Sequence, residues 1–158
     1  MKFRSALLVV EDIEKSKQFY HDVLDLEIEA DFGDNVVFAG GLALQTVKTW
    51  EDFIHMKENR IKFGNNTGEL YFEEDNMEEF MNRLNKVENI HYVHPLKENP
   101  GGQRVVRFYD LDKHIIEVRE NLKRVVKCLA DKGMSVEDIA ERMDVSVNSV
   151  KGNLKVSE

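Results

Sequence analysis

The order of elements in this chain runs twice. Residues 3–47 read as strand, helix, strand, strand, strand, and residues 69–119 read the same way. In the first half an apolar stretch, Phe3 to Val10, leads to Asp12, a residue type that caps helices by accepting a backbone N–H. Ile13, Ser16, Phe19, Tyr20, Val23 and Leu24 then recur on one helical face. Leu26 to Phe32 alternates, Gly33-Asp34-Asn35 turns, and Gly40-Gly41 separates strands over 36–38 and 42–47. In the second half Glu69 to Glu73 is a strand, and Asn76 caps a helix with the stripe Met77, Phe80, Met81, Leu84 and Val87. Strands follow over 90–96, 105–109 and 115–119, with a turn at residues 99–102; Pro95 places the first of them on a free edge. Between the halves, Thr49-Trp50-Glu51-Asp52 has the form of a capping box and predicts a short helix through Met56. The polar residues 57–68 form the seam. Such a repeat places matching strand positions about a shared centre. Ser5 and Glu69 each stand seven residues before their cap, and Gln45 and Glu117 each lie in the last strand of their half. Three of these four carry good oxygen donors.

Composition narrows the class. A chain of 158 residues, 42% apolar and 33% charged, suits one compact globular domain with a small appendage. No apolar run approaches a membrane span. The start is too soon acidic for a signal peptide, so the expected location is cytoplasmic. The one cysteine, Cys128, excludes an internal disulfide and a Cys-rich zinc site. Residues 121–158 hold seven Lys/Arg against six Asp/Glu, which leaves about −9 of the net −8 on residues 1–120. An acidic body argues against broad nucleic-acid binding there.

Glu117 is the carboxylate to explain. Period two puts Ile115, Glu117 and Arg119 on one strand face and His114, Ile116 and Val118 on the other. A carboxylate there is solvated, paired with a cation, or aimed into a polar cavity, since Glu is rarely buried alone. If Glu69 lies beside it without a metal, like-charge repulsion raises one pKa and makes a general acid or base. The other reading is that Arg107 and Arg119 hold both carboxylates. Tyr71 shares a strand face with Glu69 and is placed to orient it or a ligand. Trp50 and Phe53 are placed to close an apolar cup. His91 and His94, three apart in a strand, face opposite ways; surface positions are expected for them.

Two segments carry a family resemblance. Val10-Glu-Asp-Ile-Glu-Lys-Ser-Lys-Gln-Phe-Tyr-His-Asp-Val-Leu24 resembles the first-helix pattern of the vicinal oxygen chelate superfamily, which includes glyoxalase I, bleomycin-resistance proteins and extradiol dioxygenases. Phe108-Tyr-Asp-Leu-Asp-Lys-His-Ile-Ile-Glu117 resembles its final F-x-D-P-D-G-x-x-I-E turn and strand, with Leu111 and Lys113 departing from the Pro and Gly. The resemblance implies an α+β fold over residues 1–120, with tandem βαβββ modules, about 1–56 and 57–120, forming a cup-shaped mixed sheet. It implies a homodimer and a small molecule in the cup. It places metal ligands at Gln45, Glu69 and Glu117, with Ser5 removing the ligand of the first strand. Three oxygen ligands and no imidazole favour Mn²⁺, Mg²⁺ or Ca²⁺ over Zn²⁺, Ni²⁺ or Fe²⁺. On this reading Glu117 and Glu69 are metal ligands or acid/base groups, and Ser5, Trp50, Phe53, Tyr71 and Arg107 line the ligand site. Metal-assisted lyase, isomerase or dioxygenase chemistry is one function implied. Metal-free binding of a compound, of the drug-resistance kind, is a second. A ligand-sensing regulator acting through the tail is a third.

That tail, residues 121–158, lies outside the resemblance. Leu122, Val125, Val126 and Leu129 form one helical stripe, Gly133 stops it, and Ser135 caps a second helix bearing Ile139, Ala140 and Met143. After a turn at 144–146, Val147, Val150 and Leu154 belong to a third. Residues 133–151 resemble the helix-turn-helix of bacterial response regulators and sigma factors. The final helix offers Asn148, Ser149, Lys151, Asn153 and Lys155, while Glu137, Asp138 and Glu141 beside it repel phosphate. The expectation is therefore an appendage packed on the domain or a partner subunit, ahead of DNA binding.

Overall fold

A computed structural model describes residues 1–56 and 60–155 of the chain. The first module runs β1 (Ala6–Val10), α1 (Ile13–Leu24), β2 (Ile28–Asp31), β3 (Asn35–Phe38) and β4 (Leu42–Thr46). A short α2 (Val47–Phe53) follows. The second module runs β5 (Glu69–Glu74), α3 (Met77–Leu84), β6 (Tyr92–Glu98), β7 (Arg104–Tyr109) and β8 (Ile115–Glu120). Three helices, α4 (Leu122–Asp131), α5 (Val136–Met143) and α6 (Val147–Lys155), complete the described chain. Each module forms a four-stranded mixed sheet, in the orders β1-β4-β3-β2 and β5-β8-β7-β6. First and last strands of a module pair in parallel, the others antiparallel. This is the α+β architecture of tandem βαβββ modules that the repeat predicts.

The local signals act where the sequence puts them. Asp12 accepts from Lys15 N and Asn76 from Glu79 N, so both long helices begin at their predicted caps. Pro95 lies on β6, an outer strand whose pairing with β7 is irregular on both sides of His94. Other boundaries move. β1 begins at Ala6, since the first rung of its parallel pairing is Ala6 with Leu42; Phe3 is left 80% exposed and Ser5 lies outside the strand. The capping box at Thr49 does not form. β4 runs directly into α2, extended Thr46 is the N-cap, and Thr49 sits inside the helix with its hydroxyl against that of Thr46 at 2.8 Å. The strand expected over 90–96 is shifted to Tyr92–Glu98.

One core serves both modules. Phe19, Tyr20 and Val23 of α1 and Met77, Phe80 and Leu84 of α3 pack on the inward faces of both sheets, including Phe38, Leu44, Phe108 and Ile116. The turn between β7 and β8 locks into the first module. Asp110 accepts from Tyr20 Oη at 2.7 Å, and Asp112 accepts from the Glu11 backbone N–H at 3.0 Å and from Ser16 Oγ at 3.4 Å. Burial, reinforced by the Asp110 charge, pushes the Tyr20 hydroxyl well above its ordinary pKa. The aspartates of the motif turn thus clasp the two modules together. The tail has a separate core of Val125, Val126, Leu129, Ile139, Ala140 and Val150. It meets the body at the β6–β7 turn, where a Cβ on Gly101 would lie 3.2 Å from Met143 Cα.

Candidate functional site

Strand register, which periodicity alone does not give, assembles the site. Tyr71 of β5 pairs with Glu117 of β8, Glu117 with Arg107 of β7, and Arg107 with His94 of β6. Four chemically active side chains therefore stand in one row across the whole second sheet. The row lies on the face away from the helices, because Ile116 and Val118 on either side of Glu117 enter the core.

Glu117 is the buried centre, 1% exposed. Arg107 Nη2 contacts its Oε2 and Arg119 Nε contacts its Oε1. Glu117 Oε2 and Arg119 Nε lack hydrogen-bond geometry, so these contacts are ion pairs before they are directed bonds. Arg107 also donates through Nε to Glu69 Oε2 at 2.9 Å and through Nη1 to His94 Nε2 at 3.1 Å. A guanidinium has no lone pair to offer, so His94 Nε2 is the acceptor. His94 Nδ1 lies 2.9 Å from the Pro95 carbonyl, which is the acceptor of that contact. The Arg119 guanidinium lies 5.5 Å from the Tyr71 ring centroid, in cation–π contact. Tyr71 is 51% exposed and donates to Glu73 Oε1 at 2.8 Å; partial burial and that bond raise its hydroxyl above the ordinary value.

The other predicted site residues fall elsewhere. Gln45 is buried, but its carbonyl accepts from Asn35 Nδ2 at 2.9 Å and its amide donates to Thr49 Oγ1. Its place in the fold also differs from the expected one. Leu7 and Tyr71 each stand five residues before a helix cap, and Leu7 pairs with Ala43 as Tyr71 pairs with Glu117. The counterpart of Glu117 is therefore Ala43, and that of Gln45 is Arg119. The cause is the hairpin: Phe38 and Leu42 close a tight turn through Gly40-Gly41, whereas Tyr109 and Ile115 close the longer motif turn. Ser5 is exposed outside β1. On α2, Trp50 is half-buried and Phe53 is 66% exposed. The structure thus brings Glu117, Glu69, Arg107 and Tyr71 together and gives Gln45, Ser5, Trp50 and Phe53 other surroundings.

Two further side chains complete the site. Arg119 is the cation that the sequence places on the Glu117 face. His94, for which the sequence predicts a surface position, joins the row through the irregular pairing of β6 around it. The donor chemistry does not fit a divalent cation. Both oxygens of Glu117 touch guanidinium nitrogens, Glu69 is bound to Arg107, and the Gln45 carbonyl is bound to Asn35. Among the described residues no three His, Cys, Asp or Glu side chains converge to hold an ion. The row lies on an open face. A cavity of 670 Å³ lined by Phe19, Val87, Ile90, Tyr109 and Leu111 lies apart from it, and a smaller one of 330 Å³ between the starts of β1 and β5 touches it only at Glu69.

Comparison with known proteins places the chain. The glyoxalase-like domain family matches residues 3–123. No curated protein matches the chain. Among solved structures, a protein of unknown function from Agrobacterium tumefaciens is 37% identical, with 77% of this chain and 95% of that one covered and a TM-score of 0.70. A lactoylglutathione lyase from the same organism is 24% identical, covering 76% and 93%, with a TM-score of 0.58. A fosfomycin resistance protein from Listeria monocytogenes, solved with Mn(II) and a dihydroxypropylphosphonic acid, is 18% identical, covering 81% and 97%, with a TM-score of 0.57. The last two show likeness of fold. Among the described residues no helix is long and apolar enough to cross a membrane.

Proposed function

The chain belongs to the glyoxalase-like domain family, and from that premise we propose that it binds a small molecule on the open face of its second sheet without a resident divalent cation. The observation that carries this reading is the double guanidinium contact on buried Glu117. A carboxylate held this way gives the row its charge balance and fixes Arg107 and Arg119 in place. Tyr71 offers a half-exposed ring beside them. Metal-assisted lyase, isomerase or dioxygenase chemistry requires the oxygens of Glu69 and Glu117 as ligands, and in this arrangement cations already hold them. The test is metal content of protein purified without chelator, with Gln45, Glu69 and Glu117 variants beside the parent. No stoichiometric metal, and no tightening on adding Mn²⁺, Mg²⁺ or Ca²⁺, is expected; one ion per chain, lost in the Glu69 and Glu117 variants, sinks the reading. The homodimer implied by the family belongs to the proposal, and light scattering of the full chain tests it.

A ligand-sensing role for the tail is the second reading, and one observation favours it. Strand β8 runs from Glu117 to Glu120 directly into Asn121, the N-cap of α4, whose backbone N–H is bound to Glu74 O at 2.9 Å. A change at the row therefore has a short covalent path to the tail. Hydrogen exchange in α4 to α6 that is the same with and without a bound ligand dismisses it.

A further inference from the structure

We propose that Arg119, backed by Arg107, makes the open face a receptor for a small oxyanion, a carboxylate or phosphonate, with the guanidinium pair supplying the positive charge a metal ion would otherwise bring. This rests on the metal-free binding reading above and names its ligand class.

Three observations converge. The first is spare donor capacity. Arg119 spends Nε on Glu117 and its π face on Tyr71, and no described residue accepts from its two Nη groups. Four N–H bonds in one plane are the fork that matches two oxygens of a carboxylate or phosphonate. The second is fixed position. The Tyr71 ring beneath and the Glu117 carboxylate behind hold the fork, so little conformational freedom remains to be lost on binding. The third is where the charges are spent. Glu117 and Glu69 balance the two guanidinium groups, and both acids are engaged on the Nε and Arg107 side, with Glu73 held by the Tyr71 hydroxyl, so the positive end left facing outward is the Nη side of Arg119. Arg107 is less available, since Nε, Nη1 and Nη2 face Glu69, His94 and Glu117 respectively. Its part is to hold Glu117 and to add charge, while the contact falls to Arg119.

The first module gives an internal control. The row equivalent to Tyr71, Glu117, Arg107 and His94 consists of Leu7, Ala43, Val37 and Ala30, with no charge in it. The same backbone thus carries anion chemistry in one module and none in the other.

Oxalate, its neutral analogue oxamide, and methylphosphonate are the probes, titrated into the full-length protein after chelator treatment and followed by backbone amide shifts. Saturable shifts at Tyr71, Glu117 and Arg119 with oxalate or methylphosphonate, and none with oxamide, are expected. Arg119→Gln is expected to weaken binding at least tenfold. Arg119→Lys keeps the charge and the pairing to Glu117 but loses the fork, and is expected to weaken it severalfold with an unchanged fold. Affinity is expected to fall as salt rises. Equal shifts with oxamide, or oxalate binding untouched in both Arg119 variants, overturn the oxyanion assignment and leave the binding face standing. No shift on this face with any probe overturns the oxyanion assignment, and Mn²⁺ broadening centred on Glu69 and Glu117 in the parent overturns both readings together.

Discussion

The two modules share one backbone plan and differ in what they place at its centre. In the first, Leu7, Ala43, Val37 and Ala30 form an apolar row; in the second, Tyr71, Glu117, Arg107 and His94 occupy the same four places. Both rows lie on the face away from α1 and α3, and both are flanked by core residues that match across the modules: Leu42 and Leu44 in one, Ile116 and Val118 in the other. The comparison teaches that the helix-facing side of each sheet is set by the shared core, while the opposite side is free to diverge. The binding face proposed above is the side that the fold does not need.

The largest effect is expected when charge is moved into the apolar row. Ala43 is 3% exposed and has no cation in its row, so Ala43→Glu buries an unpaired carboxylate and is expected to cost about 4 kcal/mol in chemical denaturation. A loss under about 1 kcal/mol would mean that the first row tolerates charge and that the contrast is one of sequence only. In the second row the reverse change is smaller, because water reaches the partners. Glu117→Ala frees two arginines that are 25% and 37% exposed, and about 3 kcal/mol is expected, with Arg107→Ala partly restoring stability in the double variant. Strict additivity of the two losses would show that the pair is uncoupled.

The clasp between the modules has a smaller effect. Tyr20→Phe removes the 2.7 Å bond to buried Asp110 and should lower stability by about 1.5 kcal/mol, with both modules still unfolding in one transition. Two separate transitions would show that the clasp, more than the common core, unites them. Asp112 gives the pH test. Burial is the main cause that raises its carboxyl above the ordinary value, with the nearby Asp110 charge adding and the Glu11 N–H opposing. The folded protein therefore holds this proton more tightly than the unfolded chain. Stability from this group rises as pH falls through the folded pKa and is lost as pH rises through it. The stability difference between parent and Asp112→Asn should grow in the parent's favour from neutral pH into the carboxylate range; a flat difference refutes the assignment. The smallest effect concerns the longer turn. Lys113 sits at φ 65, a left-handed conformation, and Lys113→Gly is expected to add about 0.5 kcal/mol to stability, read as a small rise in melting temperature.

Much of the molecule is local and was legible. Asp12 and Asn76 name their own helices because a side-chain acceptor three residues before an N–H needs no distant partner. Gly133 and Ser135 divide the tail for the same reason, and Ser135 accepts from Asp138 N. Glu117 announced itself as a carboxylate between core-facing residues, and Arg107 and Arg119 were visible as its holders. Gln45 shows where such reading stops. Its place in the last strand of its half was legible, yet its row depends on how many residues the β3–β4 turn consumes relative to the β7–β8 turn. His94 shows the same from the other side, since irregular pairing on either side of it reset the alternation of an edge strand.

The sequence by itself determined which segments are strands and helices, where the long helices start, and which residues face the shared core. Those properties follow from side-chain period and from bonds between near neighbours. Only the tertiary structure decided that Tyr71, Glu117, Arg107 and His94 form a single row, that Ala43 takes the place of Glu117 in the first module, and that guanidinium groups hold the carboxylates a metal would need. Register is a non-local quantity: it is fixed by turn length and by pairing between segments as far apart as residues 71 and 117, and a shift of two residues leaves every face unchanged while replacing every neighbour.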